Sequence, residues 1–389
     1  MPPLNPLDPL NPLGAEGIRV REPAPPPLRL PAPTGRVAFA AAHVVADPYG
    51  ENTPGAPAAV DWDTTLAFRH HLWGLGLGVA DAMDTAQRGM GLDWAATREL
   101  ITRSGAEARC VGGRLACGVG TDQLPAGDAA LTDILAAYEQ QLDVVEAAGA
   151  QPVLMASRAL AAAAAGPEDY LRVYGRLIGQ ARQPVILHWL GEMFDPALAG
   201  YWGSRDLDEA TGTVLTLIRE HATRIDGIKV SLLDADREIL LRRALPEGVR
   251  LYTGDDFNYP ELIRGDELGH SHALLGIFDP IAATAAAALK ALDAGDPERY
   301  DALLAPTLPL ARHLFAAPTY HYKTGVVFLA WLAGHQSHFT MVAGAQSGRS
   351  VPHLVELFEL ADAAGVLPDP ELAAHRMRQY LAVAGVGQA

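Results

Sequence analysis

Three stretches in the middle of the chain share one form: PVILHWLG (184–191), DGIKVSLLD (226–234) and VRLYTGDD (249–256). Each is a short apolar run that ends in small or polar residues, which is typical of a buried parallel strand. The segments between them, 208–224 and 237–245, carry apolar residues at helical spacing. Strands that alternate with helices in this way predict a parallel sheet covered by helices.

The same alternation extends along the chain in both directions. The further predicted strands are 36–46, 79–85, 114–122, 151–157 and 269–278. The predicted helix 281–295 ends the series. Eight strand–helix units in about 260 residues match the size of a (β/α)8, or TIM, barrel. The alternative is a doubly wound open sheet, but GLGLG (74–78) follows a helical stretch and so lacks the context of a dinucleotide-binding loop.

Two further regions flank the predicted barrel, which we place at 34–295. Residues 1–33 contain eleven prolines, and such a segment is extended rather than helical. We predict a proline-rich arm that lies over the protein's own surface or over a neighbouring subunit; a ligand for another domain is the alternative. Residues 296–389 carry helical patterns throughout and predict a C-terminal helical region.

Composition excludes several classes of protein. The 389 residues are 49% apolar and 20% charged, as in a globular protein with a sizeable core. The net charge of -16 disfavours binding to nucleic acid. No apolar stretch is long enough for a membrane helix, and no secretion signal begins the sequence. With two cysteines, free thiols in a cytoplasmic protein are the simpler interpretation.

Lysine is rare in this chain, and one lysine lies in a predicted strand. Three of the thirty basic residues are lysines, so charge alone is normally supplied by arginine. Lys229 alternates with the apolar Ile228 and Val230, and we therefore expect it to point into the barrel. Burial lowers the pKa of an amine, and a neutral amine can form a Schiff base with a carbonyl compound. A lysine at a strand end paired with a carboxylate such as Asp255 is the alternative.

Several stretches resemble a known family of barrel enzymes. DGIKVS (226–231) followed by LYTGDD (251–256) is similar to the lysine strand and next strand of the dihydrodipicolinate synthase and N-acetylneuraminate lyase superfamily. LKALDAGDPERYDALLAPTLPLARHLF (289–315) and HYKTGVVFLAWLAG (321–334) resemble its C-terminal helices. Among the subgroups, the chain most resembles an uncharacterised branch, a conserved family of unknown function.

The resemblance implies a class I aldolase-type lyase or hydro-lyase with Lys229 as the Schiff-base residue. His188 stands where the family has its proton-transferring tyrosine, and histidine is suited to acid–base chemistry. The expected substrate is a small polar carbonyl compound, a keto sugar or a keto acid, and no cofactor is expected.

The chain departs from the family where the substrate carboxylate is held. AMDTAQ (82–87) replaces the family's glycine-threonine-glycine-glutamate loop, and the charge of Asp84 would repel a carboxylate, which puts pyruvate in doubt. Thr85 still offers a hydroxyl, and Arg158 offers a cation for an acidic group. The remaining expected substrate-binding residues follow predicted strands or lie in the last one: Gly254, Asp255 and His270.

Two other functions remain open on the sequence alone. Histidines and carboxylates assigned to the ends of predicted strands suit a divalent metal in a sugar isomerase or epimerase, with Lys229 as a base: His43, Asp84, His188, Glu192, Asp255, His270 and His272. No tight metal motif supports this, and we expect no metal. A barrel that only binds a ligand or partner is the third possibility.

We also predict a homodimer or homotetramer. The C-terminal region is rich in apolar residues such as Val326, Phe328, Leu329 and Trp331. One barrel face is not expected to cover all of them, and large apolar patches mark interfaces.

Overall fold

The structure, a computed structural model, describes residues 30–125 and 127–386. Its eight parallel strands close into one barrel in which each strand pairs with the next and the last pairs with the first. The strands are β1 (Ala38–Ala41), β2 (Gly78–Asp81), β3 (Leu115–Val119), β4 (Gln151–Leu154), β5 (Val185–Leu190), β6 (Ile225–Ser231), β7 (Arg250–Thr253) and β8 (His272–Leu275). The predicted (β/α)8 barrel is therefore confirmed. Most of the predicted proline-rich arm, residues 1–29, lies outside the described residues.

Helices follow every strand and cover the outside of the barrel. They are α1 (Trp62–Gly74), α2 (Trp94–Val111), α3 (Leu131–Ala147), α4 (Arg158–Ala163), α5 (Pro167–Gln180), α6 (Leu207–Glu220), α7 (Ala235–Ala244), α8 (Tyr259–Arg264) and α9 (Ala282–Asp293). Several begin at an aspartate whose side chain accepts a hydrogen bond from a backbone N–H of the first turn, as Asp61, Asp93 and Asp234 do. Such caps stabilise a helix start by about 1 kcal/mol each.

Alternate residues of each strand face inward and outward. Phe39, Val153, Ile186, Tyr252 and Leu274 belong to a small apolar cluster within the barrel. The outward residues Ile228 and Val230 join the larger core beneath the helices. Lys229 lies between these two in the strand and so shares the inner face, as the alternation predicts.

Five helices follow the barrel: α10 (Pro297–Leu304), α11 (Thr307–Leu314), α12 (Tyr322–Leu332), α13 (Val351–Ala363) and α14 (Pro370–Val383). Every residue of α12 is buried, and the helix packs against α13 and α14 within the same chain. Our inference that Val326, Phe328, Leu329 and Trp331 need a partner subunit to cover them is therefore wrong. The homo-oligomer itself remains a prediction without this support.

Two further properties of the described residues concern their thiols and their helices. Both cysteines are free thiols, Cys110 exposed and Cys117 buried. Within residues 30–125 and 127–386, none of the helices has the length and apolar character needed to cross a membrane.

Candidate functional site

Lys229 lies near the carboxyl end of β6 with its side chain inside the barrel. It is 8% exposed, and among the described residues nothing hydrogen-bonds its ammonium group. Burial lowers the pKa of Lys229, while the charges of Asp84 and Asp256 act in the opposite direction. The amine therefore loses its proton more readily than a surface lysine.

His188 is the direct neighbour of Lys229 on β5. The imidazole is fully buried, its Nε2 lies 3.4 Å from Ser231 Oγ, and its Nδ1 has no partner among the described residues. Burial and the charge of Lys229 together hold the pKa of His188 well below its ordinary value. The ring is thus neutral and contributes a hydrogen-bonding nitrogen beside the lysine.

Gly254 follows β7 and packs directly against the lysine stem. A Cβ atom at this position would lie 2.2 Å from Ser231 Oγ, 2.8 Å from Lys229 Cε and 2.8 Å from Val230 O. We had expected Gly254 to contact substrate. The structure shows that Gly254 provides the space in which the lysine side chain lies, and its contact with substrate remains a prediction.

Replacing Gly254 by alanine should therefore displace Lys229. Because the new methyl group also meets the backbone of β6, we expect a loss of about 1–3 kcal/mol in the free energy of unfolding. Schiff-base formation, the reaction that we expect of Lys229, should slow by roughly a hundredfold, the effect of a 1 Å misplacement. Urea unfolding and borohydride trapping measure the two effects, with Gly212→Ala as the control because a Cβ there meets no atom within 4 Å. Unchanged trapping would show that Lys229 tolerates the added methyl group.

The turn after β2 presents Asp84 and Thr85 to the same end of the barrel. Ala82 has a φ of 52°, a left-handed conformation that is strained for a residue with a side chain. The short 3₁₀ helix Asp84–Ala86 follows. Thr85 Oγ1 lies 2.8 Å from the hydroxyl of Tyr322 on α12. Burial, followed by the charge of Asp84, raises the pKa of Tyr322 well above its ordinary value, so this hydroxyl keeps its proton.

The carboxylate that acts on Lys229 from the β7–α8 loop belongs to Asp256, not to Asp255. Asp255 accepts hydrogen bonds from the backbone of Phe257 and Asn258, at 2.9 and 3.0 Å, and from the Asn258 side chain. It therefore stabilises its own turn. Burial raises the pKa of Asp256 to about 7, against the opposing charge of Lys229.

Our placement of His270 at the site is wrong. We had counted it among the residues at the ends of predicted strands, in the last strand over 269–278, but β8 begins at His272 and ends at Leu275. Both histidines thus lie at the opposite, amino-terminal end of the barrel. There Val37 N donates to His272 Nδ1 at 2.9 Å, and burial together with Arg36 and Arg242 lowers the pKa of His270 to about 4.

The proposed metal ligands are consequently not brought together. His270 and His272 lie at the far end, and Glu192 is exposed to solvent. His43 is paired with Asp279 at 2.8 Å in the buried interior. Within the described ranges, the structure has no group of three or more histidine, cysteine, aspartate or glutamate side chains suited to a metal ion.

Two connected cavities open at the carboxyl end of the strands. The larger, about 430 Å³, is lined by His188, Thr121 and Ser157. The hydroxyl groups of Thr121 and Ser157 lie 2.6 Å apart. The smaller is about 250 Å³ and is lined by Lys323. Walls common to both include Asp84, Arg88, Gly89, Arg158, Leu190 and Asp195.

Arg158 and Arg88 bring two cations to this mouth. Arg158 begins α4 and pairs with Asp195 at 2.5 Å, while its side chain stays 60% exposed. Arg88 is buried and joins the loops after β2 and β3, because it donates to Gly118 O at 2.9 Å and pairs with Asp122. The structure thus places Lys229, His188, Asp84, Thr85 and Arg158 at the same end of the barrel, and their roles in a site remain proposals.

Sequence reasoning missed four residues at this site: Arg88, Asp256, Tyr322 and Lys323. The scarcity of lysine in this chain was a usable signal for Lys323. Nothing in the local pattern of α12 indicates that its first turn reaches the mouth of the barrel.

Comparison with known proteins gives a family and a fold. The sequence family described as "Protein of unknown function (DUF993)" matches residues 14–386. No curated protein matches the sequence significantly.

Three solved structures illustrate the likeness in fold. The dihydrodipicolinate synthase from Aquifex aeolicus is 14% identical, with a TM-score of 0.64 over 85% of this chain and 99% of that one. A prophage protein of the dihydrodipicolinic acid synthase family from E. coli K12, in complex with pyruvate, is 14% identical, with a TM-score of 0.66 and the same coverage. Chloride-inhibited dihydrodipicolinate synthase from Acinetobacter baumannii, complexed with pyruvate, is 16% identical, with a TM-score of 0.62 over 86% and 100%.

Proposed function

This chain belongs to the family described as "Protein of unknown function (DUF993)", and we propose that it is a class I aldolase-type lyase or hydro-lyase that forms an imine through Lys229. The observation that carries the proposal is the position of this lysine. It lies inside the barrel near the carboxyl end of β6, beside His188, which lines the larger cavity, and burial lowers the pKa of the lysine. The active sites of characterised TIM-barrel enzymes lie at this end.

The proposed chemistry begins with the neutral amine of Lys229. Its nitrogen lone pair attacks the carbonyl carbon of the substrate, and the carbonyl oxygen takes up a proton and leaves as water after a second protonation. The protonated imine then accepts the electron pair of a bond that breaks at the carbon next to the former carbonyl carbon, which gives an enamine. In a lyase this is a carbon–carbon bond: the departing fragment leaves as a carbonyl compound once its hydroxyl group has lost a proton, and the enamine takes up a proton at the same carbon. In a hydro-lyase it is a carbon–hydrogen bond, and the enamine then expels a protonated hydroxyl group as water from the following carbon. Either route gives an imine again. Hydrolysis of the imine releases the product and regenerates the amine.

Four side chains support this chemistry, three by hydrogen bonding and one by its charge. His188 provides a neutral nitrogen beside Lys229. The hydroxyls of Tyr322 and Thr85, 2.8 Å apart, provide a hydrogen-bonded pair on the other side of the mouth. Asp84 acts electrostatically on Lys229, and its negative charge favours the cationic imine over the neutral ketone.

The larger cavity suits a substrate with hydroxyl groups. Thr121, Ser157 and Asp84 line it, and these side chains offer both donors and acceptors. A keto sugar or a hydroxylated keto acid matches this lining better than pyruvate, which has no hydroxyl group to bind there.

Borohydride reduction in the presence of carbonyl compounds tests the proposal. We expect a panel of keto sugars and keto acids to add mass to the protein at Lys229, mapped by peptide mass spectrometry. Pyruvate should be trapped poorly because Asp84 disfavours a carboxylate next to the carbonyl group. Lys290, exposed on α9, is the internal control for non-specific reduction. Trapping at Lys290 to the same extent as at Lys229, or at neither, would contradict the proposal.

A further inference from the structure

The smaller cavity contains a second buried lysine that the proposed chemistry does not use. Lys323 lies in the first turn of α12 and is 4% exposed. Its side chain lines this cavity of about 250 Å³ together with Asp84, Arg158 and Asp195. Where surface charge alone is needed this chain uses arginine, so a buried lysine at a cavity wall calls for an explanation.

The ammonium group of Lys323 has few contacts with other groups of the protein. Its Nζ donates one long hydrogen bond, 3.3 Å, to Tyr320 O, and it lies 4.9 Å from the centre of the Tyr322 ring. Among the described residues no other acceptor is within hydrogen-bond distance. An ammonium has three donors, and leaving donors unsatisfied in a buried place is costly. A bound acceptor would satisfy them.

Arg158 presents a second set of free donors to the same cavity. Its Nε donates to Asp195 Oδ2, and its two terminal nitrogens have no protein partner in the described part of the chain. The positive charge of Arg158 repels that of Lys323 and therefore lowers the pKa of Lys323. Two cations that face one cavity with unused donors are suited to an anion.

We propose that Lys323 and Arg158 bind a carboxylate of the carbonyl substrate, which makes the substrate an oxo acid whose carboxylate lies several bonds from the carbonyl group at Lys229. This inference rests on the function proposed above and names its substrate class. The carbonyl group enters beside His188, and the carboxylate extends into the smaller cavity.

The separation follows from the position of Asp84. Asp84 lines both cavities, whereas Lys323 lines only the smaller one and His188, the neighbour of Lys229, only the larger one. Asp84 therefore lies on the wall that the two cavities share. A carboxylate bonded directly to the carbonyl carbon, as in pyruvate, would lie near Asp84 instead of reaching Lys323.

The charge of the cavity favours a carboxylate over a phosphate. Asp84 and Asp195 already line it, and a dianion would be repelled more strongly than a monoanion by these two acids. A phosphate ester that bound better than the matching carboxylate would overturn this assignment.

Paired ketones test the proposal. 5-Oxohexanoate and 5-oxohexanamide have the same carbonyl group, and only the first has the distant carboxylate. We expect borohydride to trap the acid at least about tenfold more efficiently than the amide, as a charge-assisted hydrogen bond would give. Lys323→Gln should remove this preference while trapping of the amide at Lys229 persists. A preference that is unchanged in Lys323→Gln would overturn the proposal, as would its absence in the unaltered protein.

Two variants guard against a simple loss of folding. Arg158→Gln changes an exposed side chain at a helix start and should reduce the preference at least severalfold without affecting stability. Lys290→Gln removes an exposed lysine of α9 and is the matched control, with no expected change. If Lys323→Gln does not fold, an unchanged preference in Arg158→Gln alone overturns the proposal.

Binding without chemistry separates this inference from the proposed function. Hexanoate and hexanamide have no reactive carbonyl group, and calorimetry can compare their affinities in each variant. If no ketone is trapped at Lys229 but hexanoate still binds more tightly than hexanamide and loses this advantage in Lys323→Gln, the imine proposal fails and the carboxylate site stands. Equal binding of the two compounds contradicts the site.

The pH dependence of binding is a further readout. The charged and titratable groups around the ammonium are Asp84, Arg88, Arg158, Asp195, Tyr320, His321 and Tyr322. Burial lowers the pKa of Lys323 to about 8, although Asp84 opposes the shift. Because only the protonated amine attracts an anion, the hexanoate advantage should be largest below this pH and should fall as the pH rises through it. A constant advantage up to pH 10 would exclude Lys323 as its source.

Discussion

Replacing Lys229 by methionine is expected to abolish imine formation and to lower kcat/KM by roughly three orders of magnitude or more, as removal of a nucleophile does. Methionine has nearly the same length and shape but no amine. The neighbouring His188 and Asp84 keep their positions, so the loss would report the nucleophile alone. Borohydride trapping and steady-state kinetics with the best compound from the carbonyl panel measure it.

The same variant should fold at least as stably as the unaltered protein. Lys229 is 8% exposed, and burying an ammonium without a hydrogen-bond partner is unfavourable. Urea unfolding is therefore expected to give an equal or larger free energy of unfolding. Lys290→Met, on the exposed surface of α9, serves as the matched control and should keep full activity. Turnover that persists in Lys229→Met would exclude the imine mechanism.

The largest expected effect on stability comes from Arg69 on α1. Its guanidinium is fully buried and donates to both carboxylate oxygens of Asp81, at 3.1 and 2.8 Å. It also donates to Thr65 O at 3.0 Å and to His43 O. Arg69→Met would leave Asp81 buried without its cation, which typically costs about 3–5 kcal/mol. Urea unfolding measures this loss.

Arg264→Met is the matched control for this measurement. Arg264 pairs with Asp301 at 2.7 Å, but the side chains are 50% and 44% exposed. Exposed pairs of this kind contribute about 0–1 kcal/mol. Equal destabilisation by Arg69→Met and Arg264→Met would show that the buried pair has no special importance.

The Arg69–Asp81 pair also bears on the candidate site. Asp81 Oδ1 accepts a hydrogen bond from Ala82 N at 2.9 Å, and Ala82 has the left-handed conformation that begins the turn towards Asp84. Loss of the arginine is expected to relax this turn. We therefore expect the folded fraction of Arg69→Met to show reduced trapping at Lys229.

The sequence alone was enough to predict the barrel and the inward direction of Lys229. Both depend on local properties of the chain. Apolar runs separated by amphipathic helices define strands and their order, and the period of two residues decides which side chains share a face. The direction of the Lys229 side chain therefore follows from the strand pattern of β6, whereas His188 was singled out by the family resemblance.

Positions that depend on strand bounds or on loop conformation were decided by the tertiary structure. The strand predicted over 269–278 is observed at His272–Leu275, so His270 precedes the strand and lies at the amino-terminal end of the barrel. In the adjacent pair Asp255 and Asp256, the turn after β7 uses the first carboxylate for its own backbone. Only the folded structure shows which of two neighbouring acids acts on the lysine.

Long-range packing decided the rest of the site. Tyr322 and Lys323 come from α12, far along the chain from β2 and β6, and their apolar neighbours made the helix look like core or interface. The helix is indeed buried, but its first turn reaches Thr85 and the smaller cavity. The sequence by itself determined the fold and the inward direction of Lys229, because strand pattern and residue type are local properties. Which distant helix completes the mouth is decided by tertiary packing, since no local period records that contact.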